Sequence, residues 1–336
     1  MLSTLLLLTT ASLAFVFTNP LSEINNMLLF SKFIKTYEKT YSSDELSIRF
    51  AIFKTHLAKN NEHNLGNHSF TLGINQFSDL TPAEFRATYL GYKNNKYIDN
   101  NTKPELDFSE ELSTFPSSID WRNASANPLG VVAVVPVKDQ GQCGSCWAFS
   151  AIAATEGAWA TSGRNLTSLS EQQLVDCSTA YGNQGCNGGL MDQAFQYIIA
   201  NKCITTESAY PYTATAGVCN AAVSPAATLS SYKDTVSGSE SSLLEFIQNG
   251  PVAVAIEADQ YVFQSYSGGV LDSPACGTQL DHGVTLVGYG TDTVLGKDYW
   301  IVKNSWGSSW GESGYIRLVR DKNECGITLA ASQPYV

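Results

Sequence analysis

The reading of this chain turns on Gln140-Gly141-Gln142-Cys143-Gly144-Ser145-Cys146-Trp147, which runs on into residues 148–162 (AFSAIAATEGAWATS). From Cys146 the small apolar residues predict a buried helix, which Gly163 ends. Cys143 and Cys146 form a C-x-x-C pair with three readings: a redox pair, half of a zinc site, or a disulfide cysteine beside a catalytic thiol. Zinc requires a second pair of ligands, and the chain has no second C-x-x-C and no H-x-x-x-H. A thioredoxin-like pair requires a βαβ context, which the flanking sequence lacks. The third reading has positive support. A sulfur at a helix start faces free N–H groups and a partial positive charge, which favour thiolate over thiol.

A nucleophile needs a base, and His282 is the only histidine after position 68. A lone histidine is more often structural, but pairing with a helix-start cysteine reverses that. Asn304, in Lys303-Asn304-Ser305-Trp306-Gly307, ends an apolar strand. A buried Asn needs partners, and an imidazole needs a group that fixes its tautomer and orientation. An amide oxygen accepting from the ring satisfies both. Asp281 is next to His282, but neighbouring strand side chains point to opposite faces, so it is not given the orienting role.

Outward from these residues, the chain divides into two unlike parts. It has 336 residues, 43% apolar and 15% charged, with net charge −11. That suits a globular protein with a sizeable core. The acidic balance lacks the basic footprint of a nucleic-acid binder and the polybasic stretch of an anionic-membrane binder. All eight cysteines lie after position 142, while His56, His63 and His68 lie in the front part.

Residues 1–15 (MLSTLLLLTTASLAF) read as a secretory signal, too short to span a bilayer, although no Lys or Arg precedes the apolar run. The competing reading is an uncleaved anchor. Cleavage is expected between Ala14 and Pro20, which gives residues 1–18 as signal, 19–114 as a front segment with linker, and 115–336 as the main domain. Secretory entry permits disulfides and gives meaning to the N-x-[ST] sites at Asn67, Asn100, Asn123 and Asn165. In the front segment Phe30, Phe33, Ile34 and Tyr37, then Phe50, Phe53 and Leu57, repeat at helical spacing. Residues 93–114 are a polar linker, the kind of segment proteases cut. Ser168-x-x-Glu171 reads as a capping box opening a second helix of the main domain, and residues 190–200 as a third. Beyond 250, PVAVAIEA, GVTLVGYG, YWIVKNS and GYIRLVR read as strands. Helices first and strands later predict an α+β chain of two lobes with a cleft between them.

C-G-S-C-W with a distant His and Asn resembles the signature of papain and the cathepsins; His282 and Asn304 stand 136 and 158 residues after Cys146. Further matches are Gln140 to Ser150, Cys186-Asn187-Gly188-Gly189, Asp281-His282-Gly283 and Asn304-Ser305-Trp306-Gly307-x-x-Trp310-Gly311. Over about residues 30–336 the chain resembles a papain-family cysteine peptidase of the cathepsin L-like group. The resemblance implies a papain-like two-lobed fold, with an N-terminal helical lobe, a C-terminal β-barrel-like lobe and a helical inhibitory pro-segment in front.

It also implies roles. Cys146 is the nucleophile, paired with His282 as thiolate and imidazolium. Asn304 orients His282, and Trp306 shields that hydrogen bond. The Gln140 amide and the Cys146 N–H form the oxyanion hole. Disulfides join Cys143 to Cys186, Cys177 to Cys219 and Cys276 to Cys325. Cys203 is left as a free thiol, with an intermolecular bridge as the alternative. Gly188, Gly189, Leu190, Met191, Ala255, Leu280, Gly283 and Ala330 line the pocket for the residue two before the cut, selecting Leu, Phe or Val.

Glu45, Arg49, Phe53 and Asn64 fit the first pro-segment motif. His56 and Asn60 depart from it. Gly73, Asn75, Phe77 and Asp79 fit the second. Asp79 and Glu84 are expected to lose charge at low pH and loosen this segment. Residues 122–135 are longer than the family usually has and predict a surface loop.

The expectation is a cysteine endopeptidase made as an autoinhibited zymogen, needing no cofactor and no metal. Its partners would be protein and peptide substrates, its own pro-segment and cystatin-type inhibitors. It would be a monomer in the secretory pathway, bound for a lysosome or similar acidic vesicle, or secreted. One rival is a catalytically silent papain-like binding protein, which predicts loss of Gln140, Cys146, His282 or Asn304. All four are present. The other rival, a papain-like acyl transferase or ligase, is not separable by sequence.

Overall fold

The computed structural model describes residues 20–93, 115–220 and 222–336. The expected signal, the linker from 94 to 114 and Asn100 lie outside the described residues. The front part holds α1 (Pro20–Thr36), α2 (Ser43–Leu65), β1 (Phe70–Leu72) and α3 (Pro82–Tyr89). Ser42 opens α2 with a complete capping box to Glu45, leaving few first-turn N–H groups unpaired. Phe30, Phe33 and Phe53 form a small core between α1 and α2, with ring centroids 5.1–5.2 Å apart about Phe53. Asn64 exchanges both amide hydrogen bonds with Leu72 and so holds β1 against α2.

The two motif departures are used. His56 is buried with Nε2 3.1 Å from the Leu80 carbonyl. Asn60 donates to Gly73 O at 2.9 Å and accepts from the Tyr261 hydroxyl at 2.6 Å, tying the front part to the rear.

The rear part begins with β2 (Ile119–Asp120) and then α4 (Cys146–Thr161), α5 (Glu171–Cys177) and α6 (Met191–Asn201). Next come β3 (Ser231–Asp234), α7 (Glu240–Phe246), β4 (Val252–Ile256), α8 (Tyr261–Gln264) and β5 (Tyr266–Leu271). The long pair β6 (His282–Asp292) and β7 (Lys297–Lys303) precedes β8 (Tyr315–Val319) and β9 (Ala331–Tyr335). The strands form one sheet in the order β1-β5-β8-β7-β6-β4-β9-β3, with β2 on β6. One apolar core lies about this sheet, and a second surrounds α4 and α6. Helix α4, buried almost all round, touches both, packing on β6, β4 and β9 as well as α5 and α6. No helix among the described residues is long and apolar enough to cross a membrane.

Two local expectations are corrected. The cap of α5 is Ser170, whose hydroxyl accepts from Gln173 N, not Ser168; Glu171 is instead the buried partner of Lys138, 2.8 Å away. The capping register is shifted by two because Glu171 is drawn inward to that cation. Residues 122–135 are not wholly a surface loop. Ala133 and Val135 are buried, and Ala133 N returns to the Trp121 carbonyl, because the loop's apolar end closes over the sheet core.

Arg49 on α2 reaches α3, donating to Glu84 Oε1 at 2.8 Å and Asp79 O at 3.1 Å. Glu84 also accepts from Thr81 N. Partial burial raises its carboxyl, but the bonds from Thr81 and Arg49 outweigh that and hold it below the ordinary 4.5. Its expected loss of charge therefore requires a pH below that value: at about pH 5 Glu84 stays ionised. A carboxyl depressed in the folded state contributes stability above its unfolded value, lost as pH falls through the folded one. Glu84→Gln is expected to loosen α2 and α3 already at about pH 6, whereas the wild type loosens only below about pH 4.5, as read by amide hydrogen exchange of residues 43–89. Wild-type protection that falls between about pH 6.5 and 5 and matches the variant's would refute the assignment.

Candidate active site

Strands β6 and β7 pair antiparallel with Thr285 opposite Lys303, which brings His282, at the start of β6, beside Asn304, just past the end of β7. His282 Nε2 lies 2.8 Å from Asn304 Oδ1, which also accepts from Ser305 N. The Trp306 indole stacks on the imidazole at 4.6 Å and 28° and is itself buried among Phe77, Phe85, Phe263 and Trp310. Water is thus kept from the His–Asn bond. Asp281 points elsewhere, its carboxylate accepting from Ala258 N.

Cys146 opens α4, and the approach of that helix to β6 is close enough that a Cβ on Gly283 would meet Cys146 O and Trp147 Cα at 3.2 Å. Gln140 is fully buried. Its N donates to Ser305 O, and its Oε1 accepts from Ser305 Oγ at 2.7 Å, which leaves Nε2 as the donor aimed forward. That Nε2 meets the carbonyls of Cys143 and Tyr89, each at 2.8 Å.

Tyr89 belongs to the front part, and its chain continues through the cleft. Gly91 accepts from Gly189 N at 2.9 Å, Tyr92 N donates to Asp281 O, and Lys93 N donates to Gly189 O. Gly91 passes so close that a Cβ there would overlap Gly144 O at 1.8 Å. On the facing wall Gly188 has φ +107°, and a Cβ on it would meet Gly91 O at 2.4 Å. Tyr92 packs on the apolar cluster that includes Met191, Ala255 and Leu280, against which Ala330 also lies, while Leu190 N is fixed by Asn183 Oδ1. Of the expected pocket residues, Gly188 and Gly189 thus lie directly against the path of residues 91–93, and Gly283 lies against Cys146.

This cover alters the protonation expected from the helix start. Burial pushes the Cys146 thiol up to about 11, although hydrogen bonding from the Gly283, Gly91 and Trp147 backbone pulls the other way. Burial likewise pushes His282 down to about 4, opposed by its bond to Asn304. In the covered site burial therefore works against the charged form of both partners of the expected thiolate–imidazolium pair. His282 Nδ1 is buried without a hydrogen-bond partner.

Disulfides join Cys143 to Cys186, Cys177 to Cys219 and Cys276 to Cys325. The first ties the Gln140–Cys146 loop to the Gly188–Gly189 wall. Cys203 is unbonded and buried, which raises its thiol. Asn67, Asn123 and Asn165 are exposed; Asn123 Oδ1 caps the turn at Ser125. Among the described residues, the one group close enough to hold a metal is Glu324 with Cys276 and Cys325, and those two sulfurs are bonded to each other.

Sequence reasoning missed Tyr89, Gly91 and Tyr92, although Gly91 between two large residues hinted at a close backbone approach. It also missed the buried carboxylates of Glu156 and Glu171 with the half-buried Lys138 between them, whose Nζ lies 3.2 Å from Glu156 and 2.8 Å from Glu171.

A sequence profile described as the papain family cysteine protease matches residues 115–335, and one described as the cathepsin propeptide inhibitor domain (I29) matches residues 30–85. The chain is 50% identical over 293 residues to the probable cysteine protease RD21B of Arabidopsis thaliana, covering 85% of this chain and 60% of that protein. It thus spans about three-fifths of that relative's length. Among solved structures it resembles a recombinant stem bromelain precursor (TM-score 0.83, 39% identity, 93% of this chain and 99% of that one). It also resembles the digestive procathepsin L 3 of Tenebrio molitor larval midgut (TM-score 0.79, 45% identity, again 93% and 99%).

Gly91→Ala is expected to lift residues 89–93 from the cleft. At about pH 7.5 iodoacetamide should then alkylate Cys146 at least ~10-fold faster than in the intact wild-type chain, since rate follows thiolate fraction and access. Peptide mass mapping separates Cys146 from Cys203. Equal Cys146 rates in the two proteins would show that this strand does not cover the sulfur.

Proposed function

Because the chain belongs to the papain family of cysteine proteases and carries that family's propeptide inhibitor domain, we propose that it is the precursor of a cysteine endopeptidase. The observation that carries this reading is the Gln140 amide, held by Ser305 and already bonded to a foreign carbonyl, that of Tyr89, at the mouth of the Cys146 site.

Removal of residues 19–114 would rehydrate the cleft and allow the Cys146 proton to pass to His282 Nδ1, the ring nitrogen left without a partner. The thiolate attacks the peptide carbonyl. The oxygen takes the negative charge and is held by Gln140 Nε2 and the Cys146 N–H. His282 gives its proton to the departing amine, leaving a thioester on Cys146. Water, deprotonated by His282, then releases the acid. Asn304 keeps the ring oriented throughout, and Trp306 keeps water from that bond.

The apolar surroundings of Tyr92 support a preference for Leu, Phe or Val two before the cut, since a charged side chain there would be left unpaired. In the precursor the front segment inhibits by occupying this path. Three disulfides fit folding in the oxidising secretory pathway. A lysosome-like vesicle or secretion is the proposed destination, with a monomer open to cystatin-type inhibitors as the working form.

The test uses the precursor and its Cys146→Ala partner at about pH 5 with a thiol. The wild type is expected to shorten by roughly the mass of residues 19–114 and to hydrolyse a Phe-Arg aminomethylcoumarin amide, with activity at least ~10⁴-fold above the alanine variant. Equal activity in both would remove Cys146 from the chemistry. Transfer of the acyl group to an added amine in preference to water would favour the acyl-transferase reading.

A further inference from the structure

The cleft has two sides about Cys146. One carries Gly189, Met191 and Leu280 and holds Tyr92. The other carries Trp306, against which α3 lies, with the Phe85 ring edge-on at 5.3 Å. The next residue, Arg86, reaches past that ring to Asp259. Its Nε donates to Asp259 Oδ2 at 2.8 Å, and its Nη2 bonds the same oxygen.

Asp259 belongs to the peptidase domain. It stands between β4 and α8, and Phe263 on α8 lies 5.8 Å from Trp306, so the carboxylate sits on the Trp306 side of the cleft. Its other oxygen is fixed by Gln260 Nε2 at 2.9 Å. The Asp259 side chain is 11% exposed, while that of Arg86 is 60% exposed. The carboxylate is thus held within the domain by Gln260, and the cation is laid on it by the front segment.

Other carboxyl groups stand close by. Glu257 is buried nearby, and Asp281 accepts from the N–H of Ala258, the residue before Asp259. Burial, together with the charges of Asp259 and Glu257, pushes Asp281 up to about 7. Among the described residues, Arg86 is the one ion-pair partner of Asp259. Loss of the front segment removes it and leaves a carboxylate held by Gln260 without its ion-pair partner, beside the leaving-group side of the cut, where another cation can take that place.

We propose that Asp259 is a specificity residue of the processed enzyme: it takes the side chain of a Lys or Arg within the first two substrate residues after the cut, in the place Arg86 fills in the precursor. The inference rests on the endopeptidase reading above. The competing role for Asp259 is an anchor for the front segment and nothing more, which predicts no such selectivity.

The test compares internally quenched peptides, alike before the cut, that carry Arg or Glu at the first or second position after it. The precursor processed at about pH 5 is expected to favour Arg by about 10-fold in kcat/KM at one of these positions, a preference that shrinks in about 0.5 M NaCl as screening dictates. Asp259→Asn should bring the ratio within about 2-fold, whereas a merely structural loss would lower both rates alike and keep the ratio. If that variant fails to mature, the wild-type ratio and its salt dependence decide alone. A wild type that cleaves the coumarin amide but treats Arg and Glu equally overturns this proposal and leaves the protease standing. A wild type that cleaves neither overturns both.

Discussion

Everything at the site depends on how near the start of helix α4 comes to strand β6. The nucleophile candidate is carried by the helix and the imidazole by the strand, so the gap between two backbones sets their meeting. Gly283 keeps that gap small, and Ser150 Oγ closes it further by donating to Val284 O at 2.6 Å. Ala148, Ala151 and Ala154 let the helix sink into the interior without a polar face. Larger residues at these positions would part the lobes, and no rotamer of Cys146 or His282 could make up the distance. The run of small residues after Cys146 is thus a requirement of the chemistry as much as of the fold.

What could be read from sequence follows from how local each cause is. Periodicity and the C-G-S-C-W run located α4, the paired strands β6 and β7, and the residues gathered between them, because one helix and one hairpin suffice to place these. The capping register of α5 was not legible. Ser168-x-x-Glu171 and Ser170-x-x-Gln173 are equally good local patterns, and the choice is made by Lys138, which lies far off in sequence and draws Glu171 inward. The burial that opposes ionisation of Cys146 was not legible for the same kind of reason. A helix start favours thiolate while burial opposes it, and no local pattern announces which distant strand will lie over a sulfur.

The front segment holds the cleft through contacts of the sort a substrate would make. Its backbone bonds to Gly189, one of its carbonyls sits on the Gln140 amide, and its Tyr92 packs on the apolar cluster about α4 and α6. The working parts are kept assembled: the His282–Asn304 bond, the Trp306 stack and the Gln140–Ser305 bond are all made. Inhibition here is cover and desolvation. The preorganisation that a protease needs is already built before the segment departs.

Strand β1 of the front segment is also the outermost strand of the sheet, paired with β5. Its departure therefore leaves more than an open cleft. The β5 backbone from 266 to 269 becomes a raw margin whose N–H and C=O groups could template another chain. The sequence there, Tyr266-Ser267-Gly268-Gly269, is ill suited to that fate. Gly269 turns to φ +92°, and the β1–β5 register already slips between Thr71 and Leu72. A crooked border of this kind accepts its own covalently delivered strand but offers a stranger few consecutive pairings. Were the front segment removed, the same irregularity would leave this margin a poor template for a second copy of the chain.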